Sequence, residues 1–158
     1  GGAELEDRVQ FAFGAQFVEV RVNALTREIR TPRIVGAYAF GRIVNPKTAK
    51  SQLMGGQIWG VASALHEATE IDLRSARYYN KNLAEYLIPV NADIPEVQTI
   101  MLPEDDKAVN GLGIKGVGEL GNVGLNAAVA NAVFHATGVR VRDLPIRLEK
   151  LLEATVPA

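Results

Sequence analysis

Three features of this sequence predict an α+β fold. Two strand-like segments joined by a short polar connection come first, a long helix follows an asparagine–proline pair, and an alanine-rich helix follows a glycine-rich loop. Strands come first and helices are mixed in later, whereas an α/β protein alternates the two regularly. We therefore expect an antiparallel hairpin and a mixed sheet with packed helices, in a single domain over residues 1–158.

The composition is that of an ordinary globular protein. Of 158 residues, 47% are hydrophobic and 22% are charged, which suits one core of ordinary size. The net charge of −1 gives no reason to expect a nucleic-acid partner. The absence of cysteine excludes disulfides, thiolate zinc sites and any iron–sulfur cluster bound by this chain alone. No apolar run approaches the roughly 20 residues that span a bilayer, so we expect no membrane span.

The first predicted element is a hairpin. Residues Phe17 to Val22 alternate between two faces, with the valines on one of them, and this period of two indicates a strand. Asn23 to Arg27 predicts a turn, and Glu28 to Gly41 predicts a second strand. Two such segments with a short polar connection favour antiparallel pairing.

A helix is predicted to follow, from Pro46 to about Ala68. Asn45 is a favoured N-cap residue, and proline at the first helical position costs no hydrogen bond. The interior of this helix is unusual because each glycine there costs roughly 1 kcal/mol relative to alanine. We expect close approach of another backbone or of a ligand to compensate at these positions, which are Gly55, Gly56 and Gly60.

The second half of the chain carries weaker signals. Glu96 to Leu102 predicts a strand, and Asn122 to Thr137 predicts an alanine-rich helix capped by Asn122 and ended by Gly138. Val139 to Asp143 is short and alternating, as in a strand, and Leu148 to Leu152 predicts a short terminal helix.

Residues 111–124, GLGIKGVGELGNVG, contain the spacing G-x-G-x-x-G twice. A dinucleotide-binding loop of this kind needs a hydrophobic strand running into its first glycine, but the preceding residues, 104–110, are mostly polar. The loop still offers backbone N–H groups, Lys115 and the start of a helix, which are the parts of an anion site. Glu119 is then either a structural acid near the helix end or a group facing a reaction centre, and spacing alone favours the structural role.

Two stretches of the sequence resemble a known enzyme family. GIKGVGELG, the alanine-rich helix and GVRVRDLPI are similar to the closing segment of the molybdenum-binding subunit of molybdenum hydroxylases, the xanthine dehydrogenase and aldehyde oxidoreductase family. Upstream, GAYAFGRIVNPKTAKSQLMGGQIWGVASALHEAT resembles the hairpin and glycine-bearing helix of the same family. The resemblance runs from about Phe13 to Leu152, and GGQIWG with KGVGELG resembles bacterial aldehyde oxidoreductases that use the cytosine dinucleotide form of the cofactor.

The resemblance implies roles for individual residues. Glu119 matches the general base beside molybdenum, and Gln52 matches a glutamine that contacts the pterin. Small residues in the helix would allow the cofactor or a neighbouring backbone to come close. No metal ligand from the chain is implied. The residues that the resemblance places along the cofactor are Gln52, Gly55, Gly56, Lys115, Gly116, Val117 and Gly118.

The implied reaction oxidises aldehydes or N-heterocycles, with water as the oxygen source and Glu119 working in a tight, dry pocket. Electrons would leave through iron–sulfur clusters and FAD held by other domains or subunits. The chain would then be the C-terminal part of a molybdenum subunit. Its partners would be the rest of that subunit and the iron–sulfur and FAD subunits, and the chain alone would be inactive. The cytoplasm and the periplasm both remain open. The alternative is a non-catalytic α+β domain whose glycine loop binds a phosphate-bearing ligand or a partner chain.

Overall fold

The computed structural model describes residues 9–152, in which a mixed three-stranded sheet is covered on one face by two α-helices. The order of strands in this sheet is β1 (Phe13–Val22), β2 (Ile29–Ala39) and β5 (Glu96–Met101). The α+β prediction is confirmed. Within the described range, no helix is long and apolar enough to cross a membrane.

The predicted hairpin is formed by β1 and β2. They pair antiparallel, with Phe17 opposite Val35, and a bulge interrupts the register between Glu19 and Arg21. The Asn23 side chain organises the turn, since its Oδ1 accepts hydrogen bonds from the backbone N–H groups of the residues two and three positions later, at 2.8 and 3.0 Å. β1 begins four residues before the predicted Phe17 because alternation weakens in the segment 13–16, although the pairing continues.

The strand β5 makes the sheet mixed. It pairs parallel to β2, from Arg33 opposite Glu96 to Tyr38 opposite Met101. Because parallel strands point the same way, β2 and β5 end at the same edge of the sheet. The segments that follow β2 and β5 therefore lie next to each other at that edge.

The first helix, α1 (Pro46–Leu65), begins as predicted and ends three residues early. Oδ1 of Asn45 accepts hydrogen bonds from the N–H groups of Lys47 and Thr48, at 3.0 and 3.2 Å. The helix ends at His66, whose N–H donates to the carbonyl of Ala62.

The glycines of α1 differ in what surrounds them. A Cβ at Gly56 would lie 2.9 Å from the Cα of Gly121, and a Cβ at Gly60 would lie 2.5 Å from the Cβ of Leu125. These two glycines allow the helix to touch the glycine loop and the second helix. Gly55 is different, because a Cβ there would have nothing within 4 Å. The expected close approach is thus present within the chain at two of the three positions.

The second helix, α2 (Leu125–Thr137), starts three residues later than predicted. The N-cap is Gly124, which provides no side-chain hydrogen bond, and the prediction that Asn122 caps the helix is wrong. The backbone of Asn122 belongs to a preceding turn, where its N–H donates to the carbonyl of Glu119 and its own carbonyl accepts from Leu125. The end of α2 is as predicted, since Gly138 adopts a φ of 75° and donates its N–H to Phe134.

The prediction of a strand over Val139–Asp143 is wrong, because these residues pair with no strand in the described part of the chain. The predicted terminal helix is a short 3₁₀ helix, η1 (Leu148–Leu151). A hairpin of two-residue strands that the sequence did not predict, β3 (Ile71–Asp72) and β4 (Arg77–Tyr78), lies between α1 and β5.

Two apolar clusters hold these elements together. The larger cluster lies between the sheet and the two helices, and includes Ile34, Val61 and Val129, all fully buried. The smaller cluster is built from Tyr38, Phe40 and Leu53 at the edge where β2 ends. Because the smaller cluster lies at this edge, it also supports the glycine loop.

Substituting adjacent glycines of α1 is expected to change stability in opposite directions. Gly55→Ala should raise the free energy of unfolding by about 0.5–1 kcal/mol, because alanine is the better helix former and the added methyl meets nothing. Gly56→Ala should lower it, because overpacking against the backbone of Gly121 costs about 1–3 kcal/mol and outweighs that gain. Urea unfolding followed by circular dichroism measures both values. Equal stabilisation by the two substitutions would contradict the contact between α1 and the loop.

Candidate cofactor-binding site

The glycine loop is attached to the edge where β2 and β5 end. The N–H of Arg42 donates to the carbonyl of Gly113 at 2.7 Å, and Gly41 forms an antiparallel bridge with Ile114. Both Gly41 and Gly113 have φ near +70°, which only glycine adopts without strain. The start of the loop is therefore fixed by backbone contacts.

An ion cluster around a buried lysine reinforces this attachment. Lys115 is only 6% exposed at its side chain, and its Nζ lies 2.6 Å from Oε1 of Glu104 and 3.0 Å from Oδ2 of Asp106. The other carboxylate oxygen of Glu104 accepts a hydrogen bond from the N–H of Gly41 at 2.6 Å. These three side chains, Lys115, Glu104 and Asp106, form what we call the Lys115 cluster.

The cluster shifts the pKa values of its members in opposite directions. The hydrogen bond from Lys115 and that from the N–H of Gly41 lower the pKa of Glu104 below its ordinary value. The hydrogen bonds to Glu104 and Asp106 raise the pKa of Lys115, against a smaller effect of burial. Both shifts favour the ionised forms, as expected for a lysine that pairs with two carboxylates of its own chain.

After Lys115 the loop turns two side chains inward and leaves the others outside. Val117 and Leu120 pack on the smaller apolar cluster. Gly116, Gly118 and Glu119 are exposed. Because Val117 and Leu120 point inward, the surface of this part of the loop consists of the backbone at Gly116 and Gly118 and the carboxylate of Glu119.

Two glutamines hold the far end of the loop. Nε2 of Gln52, on α1, donates to the carbonyl of Gly118 at 2.7 Å. Nε2 of Gln16, on β1, lies 2.7 Å from the carbonyl of Gly121 and 2.9 Å from the hydroxyl of Tyr38. Burial raises the pKa of that hydroxyl, and the hydrogen bond from Gln16 opposes the shift. The loop is thus tied to both the sheet and α1.

Four exposed glycines have no structural explanation within the described residues, and one of them, Gly111, lies at the start of the loop, apart from the other three. At Gly55, Gly116 and Gly118, an added Cβ would meet nothing within 4 Å, and none of the three has a left-handed φ. Neither packing nor backbone conformation therefore requires glycine there. A surface from which side chains are missing without such a reason suits a bulky ligand that lies against the backbone.

Glu119 is exposed, and residues 9–152 provide no hydrogen-bond or ion-pair partner for its carboxylate. Its carbonyl accepts from the N–H groups of Asn122 and Val123, at 2.9 and 3.3 Å, in the turn before α2. The backbone of Glu119 is therefore held at a defined point of the loop, while its carboxylate remains available. The dry pocket expected around it is not formed by the described residues.

The structure brings several of the residues singled out in the sequence into contact with the glycine loop or into the loop itself. Gln52 touches the loop directly, Gly56 packs against it, and Val117 anchors it from the buried side. Lys115 is directed elsewhere, into its own cluster. No group of three or more His, Cys, Asp or Glu side chains among residues 9–152 is placed to hold a metal ion.

Sequence reasoning missed the residues that support the loop. Glu104 and Asp106 belong to an acidic run that precedes the loop, and a buried lysine eleven residues away could have been paired with them. No sequence pattern pointed to Gln16, because the contacts of a glutamine in a strand depend on which distant segments fold against it. Its contacts with the loop span 104 and 105 residues of sequence.

The sequence and the fold of this chain are similar to those of known proteins. The profile of the molybdopterin cofactor-binding domain family matches residues 3–95. The aldehyde oxidoreductase molybdenum-binding subunit PaoC of Escherichia coli K12 is 47% identical over 144 residues, which is 91% of this chain and 20% of that protein. The xanthine dehydrogenase molybdenum-binding subunit of Escherichia coli O157:H7 is 34% identical over 142 residues, which is 90% of this chain and 19% of its own length.

Among solved structures, the aldehyde oxidoreductase from Desulfovibrio desulfuricans superposes with a TM-score of 0.81 at 31% identity, over 92% of this chain and 16% of the other. The chain spans about a fifth of the length of the curated relatives named above. The family profile covers more than half of the chain, and the fold agrees with that of a solved relative. The chain therefore belongs to the molybdopterin cofactor-binding domain family of the molybdenum hydroxylases.

Proposed function

We propose that this chain is the C-terminal part of a molybdenum-binding subunit and forms one wall of its cofactor site. The observation that carries this proposal is the exposed surface at Gly55, Gly116 and Gly118, where glycine serves no purpose within the described chain. This surface lies beside Gln52 and leads directly to Glu119. A flat, bulky pterin fits such a surface, since it needs backbone at close range and little side-chain bulk.

The residues proposed to hold the cofactor contribute in different ways. Gln52 has a second polar atom, Oε1, beyond the Nε2 that supports the loop. Val117 and Gly56 keep the loop and helix in place from the buried side. Lys115 contributes to the surface through its main chain, because its ammonium faces Glu104 and Asp106. The cytosine dinucleotide form is proposed on the GGQIWG and KGVGELG motifs.

Glu119 is proposed as the general base. The bound molybdenum cofactor would supply the two-electron oxidation chemistry. The carboxylate of Glu119 would accept the proton from the oxygen nucleophile that derives from water and attacks the substrate carbon. An exposed carboxylate without a partner among residues 9–152 is available for that task, and a wall supplied by the rest of the subunit would exclude water around it.

The proposed substrates are aldehydes or N-heterocycles, in line with the aldehyde oxidoreductase and xanthine dehydrogenase named among the relatives. Iron–sulfur clusters are assigned to other domains or subunits, because this chain has no cysteine to bind a cluster. FAD is assigned to another domain or subunit on the family resemblance. The rest of the molybdenum subunit is the nearest proposed partner, since this chain matches only 20% of the length of PaoC.

The role of Glu119 is tested by Glu119→Gln in the complete enzyme, which keeps the shape of the side chain and removes the proton acceptor. The rate per mole of molybdenum should fall by about 10²–10⁴-fold, as is typical for loss of a general base. Cofactor content and melting temperature should stay near wild type. Asp105→Asn, at an exposed carboxylate outside the site, is the matched control and should change none of these quantities.

A purely structural acid would give the opposite pattern. The melting temperature would then reflect a loss of about 0.3–1 kcal/mol at the helix end, while the rate per molybdenum survived. A surviving rate would rule out Glu119 as the base.

The isolated chain of 158 residues should contain no stoichiometric molybdenum and oxidise no aldehyde, because it provides only one wall of the proposed site. Metal analysis of the purified chain and a dye-linked aldehyde assay measure this. Bound molybdenum together with turnover would show that the chain forms a complete site.

A further inference from the structure

The lysine of the glycine loop does not face the surface that the cofactor is proposed to occupy. Its ammonium lies between the carboxylates of Glu104 and Asp106, at 2.6 and 3.0 Å, and 6% of its side chain is exposed. A lysine in a glycine-rich loop usually suggests contact with a phosphate. Here its charge is already matched by two carboxylates, so an anionic ligand would gain little from it.

The Lys115 cluster connects three separate segments. Glu104 follows β5, and its second oxygen accepts from the N–H of Gly41, which follows β2. Asp106 lies two residues further along, and Lys115 lies in the loop. The cluster therefore fixes the loop relative to the ends of two central strands, and the pairing is largely shielded from water at the lysine.

Few side-chain contacts restrain the backbone between Lys115 and Glu119. Gly116 and Gly118 carry no side chains and contact nothing at their Cβ positions, and Val117 is the one inward side chain of this stretch. Beyond it, the carbonyl of Gly118 is held by Gln52. The position of the Glu119 carboxylate thus depends on the Lys115 cluster at one end, and at the other end on Gln52 and on the turn hydrogen bonds that the carbonyl of Glu119 accepts.

We propose that Glu104, Asp106 and Lys115 are positioning residues that hold Glu119 in place through the loop, and that the ammonium of Lys115 does not contact the cofactor. The proposal rests on the proposed role of Glu119. Loss of the ammonium would leave two carboxylates facing each other next to the backbone of Gly41, and the loop would move away from the strand ends. A displacement of about 1 Å of a reacting group can cost about 10²-fold in rate.

The experiment uses the complete enzyme with four substitutions. Lys115→Met removes the charge, Glu104→Gln removes one partner with little change of shape, and Lys115→Arg keeps the charge. Lys107→Met is the matched control, because Lys107 lies in the same part of the chain, is 86% exposed and pairs only loosely with Asp105, at 3.6 Å. The measurements are molybdenum and pterin content, kcat per molybdenum, KM, and hydrogen exchange of the backbone amides over residues 113–119.

We expect Lys115→Met to speed amide exchange over 113–119 by at least about 10-fold and to lower kcat per molybdenum by about 10–100-fold, with KM changed less than about 3-fold. Glu104→Gln should change amide exchange and kcat in the same directions by smaller factors. This variant tests the proposal if Lys115→Met fails to fold. Lys115→Arg should recover most of the rate. Lys107→Met should match wild type.

Two results would overturn the proposal. Unchanged exchange together with an unchanged rate per molybdenum would show that the cluster does not position the loop. Loss of cofactor with unchanged exchange would show that Lys115 holds the cofactor itself. Failure of the proposed function looks different, because Glu119→Gln would then keep the full rate per molybdenum whatever the Lys115 variants do.

Discussion

The parallel pairing of β5 with β2 is the constraint on which the rest of the site depends. It brings the ends of both strands to one edge of the sheet, so that Glu104 meets the backbone of Gly41. The loop can then attach to that edge through Gly113 and Lys115. An antiparallel β5 would send its continuation to the opposite edge, far from the end of β2. The topology of the sheet, rather than the glycine motif, decides where the loop lies.

The sequence predicted those elements whose signals are local. Asn45 and Pro46 mark the start of α1 through contacts within one turn of helix, and Gly138 ends α2 through its own backbone conformation. The fold class and the hairpin follow from the order of segments and from alternation. The prediction that Asn122 caps α2 was wrong because asparagine is favoured in turns as well as at helix N-termini. The backbone N–H of Asn122 donates to the carbonyl of Glu119 in such a turn.

The candidate site could be predicted only in part, since a resemblance identified its residues but not their surroundings. The partners of Lys115 and the contacts of Gln16 depend on chain segments that fold together from a distance. The two kinds of glycine could not be separated either. Gly56 packs against backbone and Gly55 faces open space, although they are neighbours in one helix. The spacing of glycines in the sequence does not indicate which part of the folded chain each of them faces.

The exposed glycines also have a thermodynamic consequence. Gly55, Gly116 and Gly118 widen the range of conformations open to the unfolded chain and gain no contact in return, so each lowers folding stability by about 0.4–1 kcal/mol relative to alanine. A ligand that binds only the folded state restores stability in proportion to the logarithm of its concentration over its dissociation constant. Binding of the proposed cofactor to this surface would therefore lengthen the lifetime of the folded protein, and cellular proteases would then remove the unloaded protein faster than the loaded one.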